Sequence, residues 1–221
     1  MDVNFFLNLR TTFIRQFYEN ASISFFERQR KIEAGEYPFI PPYSEDGEPP
    51  FLEEWTEADE ALQLLGYSCI SMLASALHLY LKTLETEFEV PVAASLKSEF
   101  KKNGWFNGYK AYFLTNFGIR FESGPFNIST LEEIVCARNR AQHPKNITTQ
   151  RVSYSSKDIK KFPQVFFVDD REKMLFAAIE VSESSWLYRP TIHITKEKLF
   201  AAIAEVEKFN GWLEEQIDAH M

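Results

Sequence analysis

The hydrophobic residues of this chain recur mostly at helical spacing. Residues 3–33 predict one long helix, because apolar side chains return every three or four positions with charged residues between them. Gly35 predicts its end, and residues 36–54, which contain five prolines, predict a proline-rich loop. We expect the apolar stripe of this helix to pack in the core or at a dimer interface; it consists of Phe6, Leu9, Phe13, Phe17, Phe25 and Ile32.

A second helix is predicted to begin after Thr56. It contains 21 residues without a formal charge, from Ala61 to Leu81, which is long enough to fit a membrane span. Polar residues inside this segment and acidic residues before it argue against a span. We therefore expect the central helix of a bundle, buried on most sides, in which His78 is a hydrogen-bonded core or interface residue.

The pattern changes in the last third of the chain. Short apolar runs at 165–168 and 174–181, separated by a charged turn, predict a β-hairpin, and a helix over 172–181 is the alternative. Thr191 to Ile194 could add a strand. Residues 196–217 repeat apolar side chains at helical spacing and predict a closing amphipathic helix.

These segments predict one mostly α-helical domain over residues 1–221. It is a helical bundle with a small β element at 162–194, inserted before the C-terminal helix. Between the long helices and this element, residues 92–118 predict one or two shorter helices around Asn103-Gly104.

Another helix is predicted just before Pro144. Thr130 with Glu133 fits a capping box, as does Ser129 with Glu132, so the helix should begin near residue 130. Proline disfavours helical backbone at the residue before it, so the helix should end at about residue 142 or 143.

The last turns of that helix carry Arg138, Asn139 and His143. Histidine can exchange a proton near neutral pH, and the planar guanidinium of arginine suits a phosphate. Asn139 lies one turn before His143 on the same face, where its amide could orient the ring. Arg138 lies about 140° away from His143 around the helix, so the two converge only through the reach of arginine or through a second copy.

The local charge supports an anionic substrate, although the whole chain carries a net charge of −8. Residues 136–161 contain seven lysines and arginines against the single acid Asp158. Arg140 and Lys145 within this stretch are therefore candidate substrate-binding residues that position the backbone of a nucleic acid, if the anionic substrate is one. The alternative is a solvated, basic loop surface.

Other kinds of site have less support. Cys69 and Cys136 lie in apolar helical patterns and are interpreted as reduced core residues of a cytoplasmic protein. Cys136 lies roughly 10 Å along the helix from His143, too far for a thiolate–imidazole pair. The histidines have no metal-ligand spacing, so neither a metal nor another cofactor is predicted. The N-terminus lacks the features of a signal peptide.

The segment Arg138-Asn139-x-x-x-His143 resembles the RNxxxH motif of HEPN domains, which are small helical proteins. The resemblance implies a homodimeric endoribonuclease that needs no metal, often a toxin or a phage-defence effector in antiviral defence. It also implies an antitoxin partner, in some cases a nucleotidyltransferase. We expect RNA cleavage by attack of the 2′-hydroxyl, with His143 as acid or base, Arg138 stabilising the transition state and Asn139 orienting the ring.

Two hypotheses from other classes remain open. The first is a non-catalytic HEPN-like module that binds a nucleotide or a protein through the same cationic residues. The second is an interaction protein in which the aromatic helices form the working surface and the motif is accidental.

Overall fold

In a computed structural model, the described residues are 2–43, 49–144, 146, 151–178 and 189–220, and most of them are helical. A short 3₁₀ helix, Phe121–Ser123, precedes the fifth α-helix. The α-helices are α1 (Val3–Ala34), α2 (Leu52–Glu87), α3 (Ala94–Asn103), α4 (Trp105–Phe117), α5 (Ile128–Gln142), α6 (Ser156–Lys161), α7 (Asp170–Ala178) and α8 (Lys196–His220).

The first helix confirms its predicted bounds, but its predicted apolar stripe does not pack in the core of the chain at Phe6, Leu9, Phe13 and Phe17, which are exposed. The Asp2 carboxylate caps its N-terminus by accepting a hydrogen bond from the Phe5 N–H at 2.8 Å. Its C-terminus is Gly35 in the left-handed conformation, with φ of 62°, which glycine adopts without a Cβ penalty. The helix therefore extends over the predicted length and stops at the predicted glycine.

The second helix lies at the centre of the bundle. It runs antiparallel to α1, since the Tyr80 hydroxyl donates to Asn4 at 2.9 Å near one end and Arg28 pairs with Glu57 near the other. Leu73, Leu77 and Leu81 are fully buried. Among the described helices this one is long and apolar enough to cross a membrane, but 56% of its apolar stretch is buried inside the protein, as in a core helix.

The predicted start of α2 after Thr56 was wrong, because the helix already begins at Leu52. Glu53 and Glu54 occupy its first turn, where the positive end of the helix dipole favours carboxylates. The Trp55 indole also donates to Glu33 of α1 at 2.9 Å. This tertiary contact lies outside the local pattern from which the start was predicted.

The C-terminal helix and the α3–α4 pair confirm their predictions. α8 runs antiparallel to α1, since Lys196 pairs with Glu19 at 3.0 Å and Arg15 pairs with Glu207 at 2.9 Å. α3 and α4 meet at Gly104 and pack as a hairpin in which the ring of Phe100 lies over Gly108. The buried faces of α2, α4, α5 and α8 form a continuous core.

The predicted β-hairpin is not found in the described residues, so this part of the predicted β element at 162–194 was wrong. Residues 165–169 form no strand, and the second predicted strand is replaced by α7, which is close to the helical alternative. The Asp169 carboxylate accepts from the Arg171 N–H at 2.8 Å and its carbonyl accepts from the Lys173 N–H at 2.9 Å. This acidic start favours a helix where a turn was predicted. Residues 179–181 of the hairpin lie outside the described residues.

The predicted strand at Thr191 to Ile194 is reduced to one antiparallel bridge between Ser153 and Thr191, the one β pairing in the described part of the chain. Ile192 and Ile194 are fully buried against α2, where the Gln63 side chain accepts a hydrogen bond from the Ile194 N–H at 3.0 Å. The segment therefore packs as extended chain against a helix and not as part of a sheet.

Candidate active site

The helix that carries the motif, α5, ends where it was predicted to end and begins slightly earlier. Gln142 is its last residue, and His143 forms the C-cap immediately before Pro144. The predicted capping boxes were wrong, because the N-cap is Asn127, whose side chain accepts from the Thr130 N–H at 3.2 Å. Thr130 lies within the first turn, and Glu133 is buried in another role.

Arg138 lies half-buried on one flank of α5 beside the exposed Asn139. Its Nη1 donates to the Asn139 side-chain oxygen at 2.9 Å. No described residue forms an ion pair with Arg138. A guanidinium that is oriented by a neutral side chain keeps most of its donors for an anionic ligand.

His143 is exposed at the C-terminal end of the same helix. The hydrogen bond of Asn139 goes to Arg138, and in the described part of the chain none connects Asn139 to His143. The structure thus brings Arg138 and Asn139 together and leaves His143 facing solvent one turn further on. That Asn139 orients the imidazole stays a prediction.

Arg140 has hydrogen-bond and ion-pair partners that the sequence did not predict. Its Nε donates to Asp158 at 2.9 Å, and its Nη2 lies 2.6 Å from the same carboxylate and 2.7 Å from the Ser155 hydroxyl. Ser155 and Asp158 also form the capping box of α6. Burial raises the pKa of Asp158, but hydrogen bonds from Ser155 and the charge of Arg140 outweigh this effect, so that the pKa is lowered.

The partnership of Arg140 has a consequence for the predicted substrate-binding residues. Any phosphate bound by Arg140 has to compete with a carboxylate that already holds the guanidinium at two nitrogens. Its substrate-binding role stays a prediction. Lys145, the other predicted substrate-binding residue, lies outside the described residues.

Glu133 is the residue of α5 whose role sequence reasoning missed, since it was predicted only as part of a capping box. Its side chain is buried, and its Oε2 accepts hydrogen bonds from the Tyr154 hydroxyl at 2.9 Å and the Phe166 N–H at 2.8 Å. Burial raises the pKa of Glu133 to about 7, against these hydrogen bonds, which lower it. Glu133 therefore fixes the segment after the motif to α5. A buried glutamate at an apolar helical position was the available signal.

The helix α5 also packs against α2, and α2 in turn contacts α4. The imidazole of His78 stacks on Trp105, with 4.5 Å between ring centroids and 21° between planes. Burial lowers the pKa of His78, and so do the positive charges of Lys82 and Arg138. His78 is thus half-buried against an aromatic ring of its own chain, and its expected role as a hydrogen-bonded core or interface residue stays a prediction. The positive charge of Arg138 therefore acts on a histidine of α2 in the same chain.

The cysteines lack the features of nucleophiles. Burial raises the pKa of both Cys69 and Cys136 to about 12, and the negative charge of Asp158 adds to the effect at Cys136. Both are free thiols. Within the described residues, no group of three or more His, Cys, Asp or Glu side chains is arranged to hold a metal ion.

An open apolar groove of about 800 Å³ lies between α1 and α2 and reaches the end of α5. Gln142, next to His143, lines it together with Arg10 of α1 and Ser75 of α2. Several apolar side chains of its wall are about half exposed. The exposed apolar side chains along the groove are Phe6, Leu9, Phe13 and Leu79.

Comparisons of the chain with protein-family models, with curated proteins and with solved structures found no match.

Proposed function

We propose that this protein is a metal-independent endoribonuclease that acts as a homodimer. The observation that carries the proposal is the state of Arg138, a half-buried guanidinium oriented by Asn139 and without an ion pair in the described part of the chain. It lies on a capped helix that ends at an exposed histidine. The resemblance to the RNxxxH motif supports the same assignment.

The proposed reaction uses the ribose of the RNA itself. A base removes the proton of the 2′-hydroxyl, the 2′-oxygen attacks the adjacent phosphorus, and the bond from phosphorus to the 5′-oxygen breaks. An acid protonates the departing 5′-oxygen, so the products are a 2′,3′-cyclic phosphate and a 5′-hydroxyl. His143 serves as acid or base, and Arg138 stabilises the charge that builds up on the phosphoryl oxygens.

A homodimer provides a second copy of the motif, which the geometry of α5 requires if Arg138 and His143 are to act together. Arg138 and His143 are about 140° apart around α5, so one chain presents them in different directions. The groove between α1 and α2 exposes an apolar surface that ends beside the motif at Gln142. We propose that a second copy covers this groove and brings its own Arg138 or His143 toward the motif of the first.

The test is RNA cleavage in excess EDTA by wild type, Arg138→Ala and His143→Gln, with the product ends identified by mass spectrometry. We expect cyclic phosphate ends from wild type and a large loss of activity in both variants. Arg120→Ala provides a matched control, because it removes an exposed arginine outside α5. His193→Gln controls for loss of a histidine.

Cleavage that persists in both motif variants, or that requires added metal, would contradict the proposal. Wild type that binds RNA or a nucleotide without cutting would favour the non-catalytic binding module. If neither binding nor cleavage is found, the interaction protein becomes the better hypothesis.

The dimer has its own test. Replacing Leu9 or Phe13 with glutamate places a charge on the exposed apolar wall without touching the buried core. Light scattering should show a dimer for wild type and a monomer for either variant, with cleavage lost in the monomer. A wild type that stays monomeric at high concentration would remove the composite site.

On the resemblance alone, we further propose that the protein is a cytoplasmic toxin or phage-defence effector with an antitoxin partner. Induced expression in a bacterium should then arrest growth, and His143→Gln should relieve the arrest.

A further inference from the structure

We propose that Arg10, Ser75 and Gln142 form a subsite for a phosphodiester of the RNA strand, beside the proposed cleavage site. The three side chains come from α1, α2 and α5, and they line the same groove of about 800 Å³. Gln142 immediately precedes His143, so the subsite holds the phosphate of a nucleotide next to the one that is cleaved. The subsite rests on the proposed ribonuclease function and adds substrate-binding residues to it.

Arg10 differs from the other cations of α1 because it has no acidic partner among the described residues. Each of the others forms an ion pair, at distances from 2.7 to 3.9 Å: Arg15, Arg28, Arg30 and Lys31. Arg10 is exposed, and it is the one charged side chain among the described residues that line the groove. Its guanidinium donors are therefore available to an anion that enters the groove.

The hydroxyl of Ser75 shows a similar contrast on α2. The serines and threonines of this helix that lie away from the groove donate to the backbone carbonyl four residues earlier, at 2.8 to 3.0 Å: Thr56, Ser68, Thr83 and Thr86. Ser71 and Ser75, the two that line the groove, form no hydrogen bond with any described side chain or backbone group, and neither does the Gln142 side chain. The polar side chains of the groove are thus donors that remain free for a ligand.

The packing of α1 on α2 brings Arg10 and Ser75 to the same level. The two helices are antiparallel, and Asn4 of α1 meets Tyr80 of α2 at 2.9 Å. Six residues along α1 therefore correspond to about six residues back along α2, which places Arg10 across from about residue 74. In the described part of the chain no carboxylate lines the groove, so nothing there repels a phosphate. Charged and neutral donors without an acid suit phosphate oxygens.

The subsite should couple RNA binding to dimerisation. The second copy that is proposed to cover the apolar wall of the groove also removes Arg10 from water, and a buried charge without a counterion costs free energy. A phosphate bound at Arg10 offsets this cost. RNA should therefore strengthen the dimer, since a ligand that binds one state more tightly shifts the equilibrium toward it.

The test uses a fluorescently labelled ten-nucleotide 2′-O-methyl oligouridylate, in which the methyl group blocks the attacking hydroxyl of the proposed reaction. Fluorescence anisotropy gives its Kd at several salt concentrations for wild type, Arg10→Gln and Ser75→Ala. Arg28→Gln is the matched control for loss of a positive charge on α1, and Ser68→Ala is the control for loss of a hydroxyl on α2. Sedimentation equilibrium measures the dimer with and without the oligonucleotide.

We expect Arg10→Gln to raise Kd about fivefold or more at low salt and to lower the magnitude of the salt slope by about one. Ser75→Ala should raise Kd at least about threefold with the same slope, because a neutral donor displaces no counterion. Arg28→Gln and Ser68→Ala should change Kd less than about twofold, since neither residue lines the groove. The oligonucleotide should tighten the wild-type dimer and leave the Arg10→Gln dimer unchanged.

Equal weakening by Arg10→Gln and Arg28→Gln would overturn the subsite, because it would indicate attraction to the whole surface. Circular dichroism shows whether Arg10→Gln is folded, and the comparison of Ser75→Ala with Ser68→Ala keeps the test decisive if it is not. A wild-type dimer that the oligonucleotide does not tighten would overturn the coupling.

The subsite and the ribonuclease function can fail separately. Wild type that binds the oligonucleotide as expected but never cuts RNA supports the subsite and overturns the ribonuclease proposal. Wild type that cuts RNA while Arg10→Gln and Ser75→Ala bind the oligonucleotide normally overturns the subsite alone.

Discussion

The two flanks of α5 carry charged side chains that differ in whether another part of the chain pairs with them. On one flank, called here the paired flank, Glu133 and Arg140 are each held by partners from the segment 152–168. On the other, the open flank, Arg138 donates to the neutral side chain of Asn139 and has no acidic partner in the described part of the chain. Two arginines two residues apart on one helix thus differ in what they can do.

This difference in pairing predicts which flank contributes to stability and which contributes to function. A charge satisfied by a partner of its own chain stabilises the fold and has little left for a ligand. A charge beside other cations costs free energy in the free protein, and an anion relieves that cost. The open flank is therefore where binding and catalysis should be lost on mutation, and the paired flank is where stability should be lost.

The largest expected effect comes from replacing Arg138 and Arg140 with alanine, one at a time. Arg138→Ala should lower the rate of RNA cleavage about 10²- to 10³-fold, because it removes a fixed cation from the transition state. Arg140→Ala should lower it less than tenfold. Single-turnover kinetics measure both, and melting curves should show the reverse order. Equal losses of cleavage rate in the two variants would show that the two flanks do not differ in function.

The second effect is the pH dependence that Glu133 imposes on stability. Its pKa is about 7 when folded and near 4.5 when unfolded, so the folded state binds the extra proton between these values. Stability is then fully present below pH 4.5 and falls by about 3 kcal/mol as the pH rises through 7.

Urea unfolding at pH 5 and pH 8 measures this fall, and Glu133→Gln should lack it. Comparing the two proteins isolates Glu133, since His78 and His193 have lowered pKa values and act in the opposite direction in both. The same pH profile in wild type and Glu133→Gln would show that the buried carboxyl is not the titrating group.

A smaller effect is expected from the ion pair between Arg140 and Asp158. A double-mutant cycle with Arg140→Ala and Asp158→Asn should give a coupling free energy of about 1 to 2 kcal/mol, because the pair is partly buried and makes two contacts. Chemical denaturation of the four proteins provides it. The parallel cycle for Arg138 and Asp158 should give none.

The smallest effect on stability is expected at Lys161, at the edge of the paired flank. Lys161 pairs with Glu132 at 2.8 Å, but half of its side chain is exposed and Lys110 contacts the same glutamate at 3.2 Å. Lys161→Ala should therefore cost less than about 0.5 kcal/mol, measured as a change in urea midpoint. A larger cost would show that the pair of Lys161 and Glu132 also belongs to the paired flank.

The positions of α1, α4, α5 and α8 follow from the sequence, because apolar periodicity, glycine ends and Pro144 act within a few residues. The start of α2, the N-cap of α5 and the helix that replaces the predicted hairpin were missed or wrong. In each case short-range signals competed, as at Thr130 and Asn127, or a contact with another helix contributed, as at Trp55 and Glu33.

The sequence by itself determined a mostly helical chain and placed Arg138, Asn139 and His143 at the end of one helix. Only the tertiary structure decided which charged side chains around them already have a partner within the chain. Asp158 is 18 residues from Arg140, and His78 lies on a different helix from Arg138. Such pairings depend on how helices pack, and packing brings together residues whose separation along the chain carries no periodic signal.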